Sequence, residues 1–327
     1  MMLYKKKMQT KALSKIIGTN LCAIFCNHVR TFSAKESFVL SFGDGSHGAL
    51  GLPAVLTGHA ADAYEPTPIP GLPPDIVSLS AGHYHSLAVS SDGHLWSWGR
   101  DLESQLGRGK TSRDTWNEPK RVQFPNHVKL TSASASGVVS SAIDSNGSVW
   151  VWGTSKRGQL GLGEGVITAL SPSRIEALAG EAIKKVSFGW GHALAVSVTG
   201  KLFGWGYSAN GRIGGIGGRV VSNLESVHRR SSDEEIAIVW SPFPVEEFDG
   251  IEVEEIACGL DHSLILCGNG SIYSSGSNIY GQLGREGGEI GMFPVERGRV
   301  KGRSVAAGLG HSLAIIGDEK RGGFSVA

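Results

Sequence analysis

Five short strands, each closed by a glycine, recur along this 327-residue chain, and their spacing limits the fold more than any other feature. The strands are Phe38–Phe42, Leu95–Trp98, Val149–Trp152, Leu202–Trp205 and Ile272–Ser275, ended by Gly43, Gly99, Gly153, Gly206 and Gly276. The steps between these glycines are 56, 54, 53 and 70 residues. Asp92-Gly93, Asn146-Gly147, Thr199-Gly200 and Asn269-Gly270 precede four of the strands and read as two-residue hairpin turns of type I′. A loop follows each strand: Ala49-Leu50-Gly51, Gln105-Leu106-Gly107, Gln159-Leu160-Gly161, Arg212-Ile213-Gly214 and Gln282-Leu283-Gly284. Its middle residue, Leu106 for example, is predicted to be a buried anchor.

A second marker lies ahead of the hairpins: Gly82-x-x-His85-Ser86-Leu87, Gly189-x-x-His192-Ala193-Leu194, Gly259-x-x-His262-Ser263-Leu264 and Gly308-x-x-His311-Ser312-Leu313. One copy departs, with Ser136, Val139, Ser140 and Ser141 at the matching places. A lone hairpin of this kind is marginal in water, so the units must bury their apolar faces against one another. Glycine, 47 of 327 residues, is about twice as common as usual and falls at turn positions, which points to many short strands rather than helices.

This order of markers resembles the regulator of chromosome condensation repeat family over Ser37 to about Ile316. The resemblance implies an all-β fold, a β-propeller that usually has seven blades of four short antiparallel strands around a central channel. Trp-Asp repeats have a shorter period, ~40–45 residues, and kelch repeats a different glycine and aromatic pattern. Five sets of markers are present here, not seven. Ser37–Leu52 holds only the second half of a blade and Ser304–Ile316 only the first half. Either the chain is a C-terminally truncated form of a longer parent, leaving an open and incomplete propeller, or the two halves join and close a five-bladed ring. Blade width fixes how many units close a ring, which favours the open arc. An open arc exposes an apolar blade face and a strand edge.

Three segments follow: a leader over 1–36, propeller repeats over 37–316 with a longer insert at about 215–247, and an unstructured tail over 317–327. Residues 1–35 hold seven Lys or Arg and no acid, interleaved with apolar residues as in an amphipathic mitochondrial transit peptide. Arg30-Thr31-Phe32-Ser33-Ala34 resembles a plant mitochondrial processing site. A secretory signal with Ile16–Cys26 as its apolar core fits less well, because Gly18, Thr19 and Asn20 interrupt it; a basic tail for nucleic acid is a third reading. Without residues 1–35, 24 basic face 30 acidic residues, so the body is mildly acidic. No apolar run of 18 residues occurs, and no membrane span is expected.

His85, His192, His262 and His311 invite a metal or catalytic reading. Each occupies the same place in a different unit, so they are read as scaffold, together with Gly82, Gly99, Gly153, Gly189, Gly206, Gly259, Gly276 and Gly308. Cys258 and Cys267 read as buried free thiols, since no C-x₂-C pair supports zinc. Phosphate-loop, H-E-x-x-H and G-x-S-x-G signatures are absent, and no catalytic, metal or cofactor site is expected. Gly189-Trp190-Gly191-His192-Ala193 resembles part of the sensing motif of a plant ultraviolet-B photoreceptor in this family. That motif has Arg before the His and Thr after it, and several copies of the Trp. Gly191, Ala193 and the single Trp argue against light sensing.

The insert, with Arg229, Arg230, Asp233, Glu234, Glu235 and Trp240, is a candidate interaction loop; the plain alternative is a solvated loop. Glu246, Glu247, Asp249, Glu252, Glu254 and Glu255 form an acidic run that repels nucleic acid and suits a basic protein surface. The chain looks like the plant mitochondrial members of the family. That resemblance implies a non-enzymatic scaffold in the matrix, supporting transcript splicing or ribosome function and, downstream, respiratory complex biogenesis. Its partners would be proteins, among them organelle splicing or ribosomal factors, rather than nucleic acid directly. The alternative is a guanine-nucleotide exchange factor for a small GTPase, the activity of the founding member; the few blades and the acidic body weigh against it.

Overall fold

In a computed structural model of the chain, residues 38–53, 62–109, 116–214, 238–286, 291–295 and 301–317 are described. All of them belong to one unit, Glu36–Ala327. The leader over 1–36 and residues 318–327 of the expected tail lie outside the described residues, while Gly317, expected to begin that tail, ends the last strand.

The chain opens with an antiparallel pair, β1 (Leu40–Gly43) and β2 (Ala63–Pro68). Four complete blades follow, each a four-stranded antiparallel sheet in sequence order. The first is β3 (Ile76–Ala81), β4 (His85–Ser90), β5 (Leu95–Gly99) and β6 (Lys120–Arg121). The second is β7 (Leu130–Ala135), β8 (Val139–Asp144), β9 (Val149–Thr154) and β10 (Thr168–Arg174). The third is β11 (Ile183–Phe188), β12 (His192–Ser197), β13 (Leu202–Tyr207) and β14 (Ile238–Pro244). The fourth is β15 (Val253–Cys258), β16 (His262–Cys267), β17 (Ile272–Gly276) and β18 (Phe293–Pro294). A last pair, β19 (Lys301–Ala307) and β20 (Ser312–Gly317), has no third strand among the described residues.

The second strand of each complete blade is hidden on both faces along nearly its whole length, as β4, β8, β12 and β16 show. The anchors Leu106, Leu160, Ile213 and Leu283 are buried. Trp152 and Trp205 join Leu87, Val149 and Leu160 in one core that runs through three blades. Burial on this scale is what lets each hairpin persist, at about 1.5–3 kcal/mol for every large apolar side chain removed from water.

The hairpin turns differ from the two-residue type I′ expectation. Gly93 has φ of 86°, but Asp92 is not in the left-handed region. Gly93 N–H donates to Ser90 O, Ser90 N–H donates to His94 O, and Val89 faces Leu95. This is a three-residue loop, a type I turn followed by a left-handed glycine. Asp92 stays in the ordinary region because its carboxylate accepts from the Ser90 hydroxyl and the His94 amide, a local arrangement that needs no positive φ.

β20 and β1 do not pair, so the two half-blades stay separate and the propeller is open. Leu313 and Ile315 on β20 are 63% and 56% exposed, whereas Leu87, Leu194 and Leu264, at the place of Leu313, are buried in the complete blades. Leu40 and Phe42 on β1 are likewise exposed. Among the described residues no helix is long and apolar enough to cross a membrane.

Candidate functional site: blade joints and the loop face

The repeated histidines sit at the joints between blades. The His85 ring bonds through Nε2 to Ser140 Oγ of the next blade at 2.7 Å. Ser140 in turn donates to the carbonyl of Gln105, which also accepts Trp152 Nε1–H at 2.8 Å. His192, Ser263 and the Arg212 carbonyl repeat the arrangement, with 2.9 and 2.7 Å separations. So do His262, Ser312 and the Gln282 carbonyl, at 3.0 and 2.6 Å. The serine proton is committed to the carbonyl, so Nε2 carries the histidine proton and donates it. Nδ1 is then an unprotonated nitrogen, and in His85, His192 and His262 it has no hydrogen-bond partner. A proton there would be a buried charge without an acceptor. Burial accordingly pushes His85 down to about 3, His192 well below the ordinary histidine value, and His262 below it as well. His311 lies on the exposed terminal half-blade and has no following serine among the described residues.

The glycines belong to the same joints. A side chain on Gly82, Gly189, Gly259 or Gly308 would run into the ring of the histidine three residues on. At Gly82, Gly189 and Gly259 it would also strike the loop carbonyl of Ser136, Gly259 and Gly308 respectively. Gly99, Gly153, Gly206 and Gly276 have positive φ and lie against the backbone just before the neighbouring second strand. Cys258 and Cys267 are free thiols, each pushed up to about 11 by burial. Among the described residues no group of three His, Cys, Asp or Glu is placed to hold a metal ion.

One face of the blades carries what varies between repeats. The loops joining first and second strands meet there: His83 N–H donates to Ser136 O, Trp190 N–H to Leu260 O and Leu260 N–H to Leu309 O. Beside them lie the loops ahead of each anchor, holding His47, Glu103, Arg157, Asn210 and Tyr280 at the same place in the repeat. The two sets combine into an aromatic and cationic cluster. His83 stacks on Trp190, with centroids 5.9 Å apart and planes at 27°. Arg157 lies 5.7 Å from the Trp190 ring and 5.6 Å from Tyr207. Arg100 lies 4.7 Å from Tyr84, whose ring meets His47 edge-on at 4.7 Å. Trp190 is 46% exposed, and Leu102, Ile279, Tyr280 and Leu309 on these two sets of loops are exposed as well.

Of the insert residues, Arg229, Arg230, Asp233, Glu234 and Glu235 lie outside the described residues. Trp240 is not an insert residue. It lies on β14, a blade strand held to β13, and its carbonyl accepts Gly163 N–H of the preceding blade. The acidic run is partly absorbed by the fold: Glu246–Phe248 is a 3-10 turn, and Glu255 pairs with Lys185 at 2.9 Å across a blade joint. Sequence reasoning passed over Arg157, Tyr207 and His83. Their signal was available in the loop positions where the copies disagree while the flanking glycine and anchor stay fixed.

Four-stranded blades, joined through histidine, serine and a shared loop carbonyl, define a propeller built from glycine-rich repeats with a variable loop face. A family profile described as the RCC1-like domain matches residues 38–322, and the chain belongs to that family. It is 33% identical over 317 residues to the secretion-regulating guanine nucleotide exchange factor of Bos taurus, covering 92% of this chain and 65% of that protein. It is 29% identical over 275 residues to the ultraviolet-B receptor UVR8 of Arabidopsis thaliana, covering 83% of this chain and 57% of the receptor. The chain thus spans less than two thirds of either relative. The crystal structure of human WBSCR16 superposes with a TM-score of 0.68 at 20% identity, over 87% of this chain and 68% of that one, a likeness of fold.

Proposed function

We propose that the protein is a non-enzymatic scaffold that binds other proteins through the loop face of its blades, and that it works in the mitochondrial matrix in support of organelle gene expression. The observation that carries the binding role is the contrast between joints and loops. Histidines, serines, tryptophans and glycines of the repeat are consumed in holding blades together. Trp190, Tyr207, Arg157 and Arg100, residue types favoured at binding hot spots, gather on one exposed face. The basic leader, free of acid over residues 1–35, supports the mitochondrial address. The acidic body supports protein partners, such as splicing or ribosomal factors, over direct RNA contact. Import of the radiolabelled chain into isolated mitochondria, followed by co-purification of bound proteins, tests the proposal. A chain that stays outside, protease-sensitive, removes the matrix role.

A second reading is guanine-nucleotide exchange on a small GTPase, favoured by the relative named as an exchange factor. Release of labelled GDP from candidate GTPases decides it, and a rate unchanged by the protein rejects it.

A further inference from the structure

Three arginines of the loop face lie against aromatic rings, and two of them carry a carboxylate from their own chain. Arg100 rests on Tyr84 and pairs with Glu103 at 2.6 Å. Arg212 rests 4.9 Å from Tyr207 and pairs with Asp261. Arg157 is held between Trp190 and Tyr207 and has no ion-pair partner among the described residues. Its seat is specific. A side chain on Gly191 would come within 2.8 Å of Arg157 Cδ and 3.1 Å of Tyr207 Cβ, so the bare backbone at Gly191 is what admits the arginine.

We propose that Arg157 is the carboxylate-binding point of a docking surface, and that its partner is a protein segment presenting an aspartate or glutamate beside apolar side chains. This rests on the reading of the loop face as the interaction surface. A guanidinium flanked by two rings has already lost much of its freedom, so pairing costs little further ordering. The rings exclude water from one side of the ion pair, which strengthens it relative to a fully solvated one. Exposed Trp190, Leu309, Ile279 and Tyr280 on the same face supply the apolar surround. A nucleic-acid backbone would ask for a row of free cations, but Arg100 and Arg212 are already neutralised by Glu103 and Asp261.

The test uses the full chain and three fluorescent probes: a peptide alternating Glu with Leu and Phe, its Gln-for-Glu counterpart, and oligouridylate, each followed by anisotropy. The acidic peptide is expected to bind at least about tenfold more tightly than the Gln peptide, and Arg157→Ala or Trp190→Ala to weaken it by about tenfold. Arg157→Glu should transfer preference to a Lys-for-Glu peptide, a rescue that a merely structural role would not produce. Circular dichroism and thermal melting verify that each variant is folded. Equal binding of the acidic peptide by wild type and Arg157→Ala overturns the assignment. If that binding is instead lost in Tyr280→Ala, the loop-face reading survives and only Arg157 is displaced as its centre. Tight oligouridylate binding, lost in Arg157→Ala and unmatched by either peptide, overturns the proposal in favour of nucleic acid.

Discussion

Val139 and Ala193 occupy, at the joint between the second and third blades, the two positions that a histidine–serine hydrogen bond fills at three other joints, and both are fully buried in the shared core. The two changes belong together. A histidine without the serine would lose its acceptor, and a serine without the histidine would lose a donor. A third position moves with them. Where other copies have glycine, Ser136 turns its hydroxyl to the Val139 backbone, in space that a histidine ring would otherwise take. Trp205 Nε1–H still reaches the Gln159 carbonyl at 2.8 Å, so the joint keeps one of its bonds.

Installing the missing set should show this dependence. Val139→His alone is expected to destabilise by about 1–3 kcal/mol through overpacking and an unpaired Nε2–H. The triple change Ser136→Gly, Val139→His and Ala193→Ser should recover most of that loss in urea denaturation. A triple variant as unstable as the single one would show that the joint is specified elsewhere.

A natural joint can be taken apart in the same way. Ser263→Ala removes the acceptor of His192 and leaves the Arg212 carbonyl with the longer Ser275 hydroxyl contact at 3.3 Å. A double-mutant cycle between Ser263→Ala and His192→Ala should give a coupling of about 1 kcal/mol. Strict additivity of the two losses would mean that the bond adds nothing to the joint.

The buried imidazoles also set a pH dependence. His85 is held near 3 in the folded chain, against the ordinary value of 6.5 that it regains on unfolding. Between those values the unfolded state binds a proton that the folded state refuses. Stability is therefore retained above the unfolded pKa and falls as pH drops from about 6.5 toward 3, by about 1.4 kcal/mol per unit for each such histidine. Urea midpoints measured at several pH values should fall on acidification, and His85→Asn should flatten the fall relative to wild type. Parallel curves for the two proteins would exclude His85 as a source.

Gly43 and Gly153 share a φ of 115° and the same place in the repeat, but their surroundings differ. A side chain on Gly153 would meet the carbonyl of Val138 just before β8, whereas nothing lies within 4 Å of the same point on Gly43, beside which the described residues place no strand corresponding to β8. Gly43→Ala should cost about 1–3 kcal/mol from backbone strain alone. Gly153→Ala should cost more, since it must also displace a strand. Equal losses in thermal melts would refute the role given to the neighbouring strand.

Much of the scaffold was legible in the sequence because its chemistry is local and repeated. Gly82, His85 and Leu87 announce a blade within six residues, and three further copies of that marker corroborate the reading. The last strand of each blade was not legible. Lys120–Arg121 on β6 is exposed and polar, and β2 has no apolar alternation, so neither carries a periodic signal. The joints were hidden for another reason. His85 and Ser140 lie 55 residues apart and His192 and Ser263 lie 71 apart, so the departure at Val139 read as a local lapse while its compensation sat in another repeat. Arg157 was missed likewise, because its rings come from the next blade.

The joint has a direction. The earlier blade supplies the histidine and the carbonyl, and the later blade supplies the serine and the tryptophan. The two sides of a blade are thus plug and socket rather than like surfaces. Two copies of the arc meeting through a single two-fold contact would set like against like and could not reproduce the joint. Only head-to-tail addition could extend it, and such growth, unless its rotation closes a ring, has no natural end.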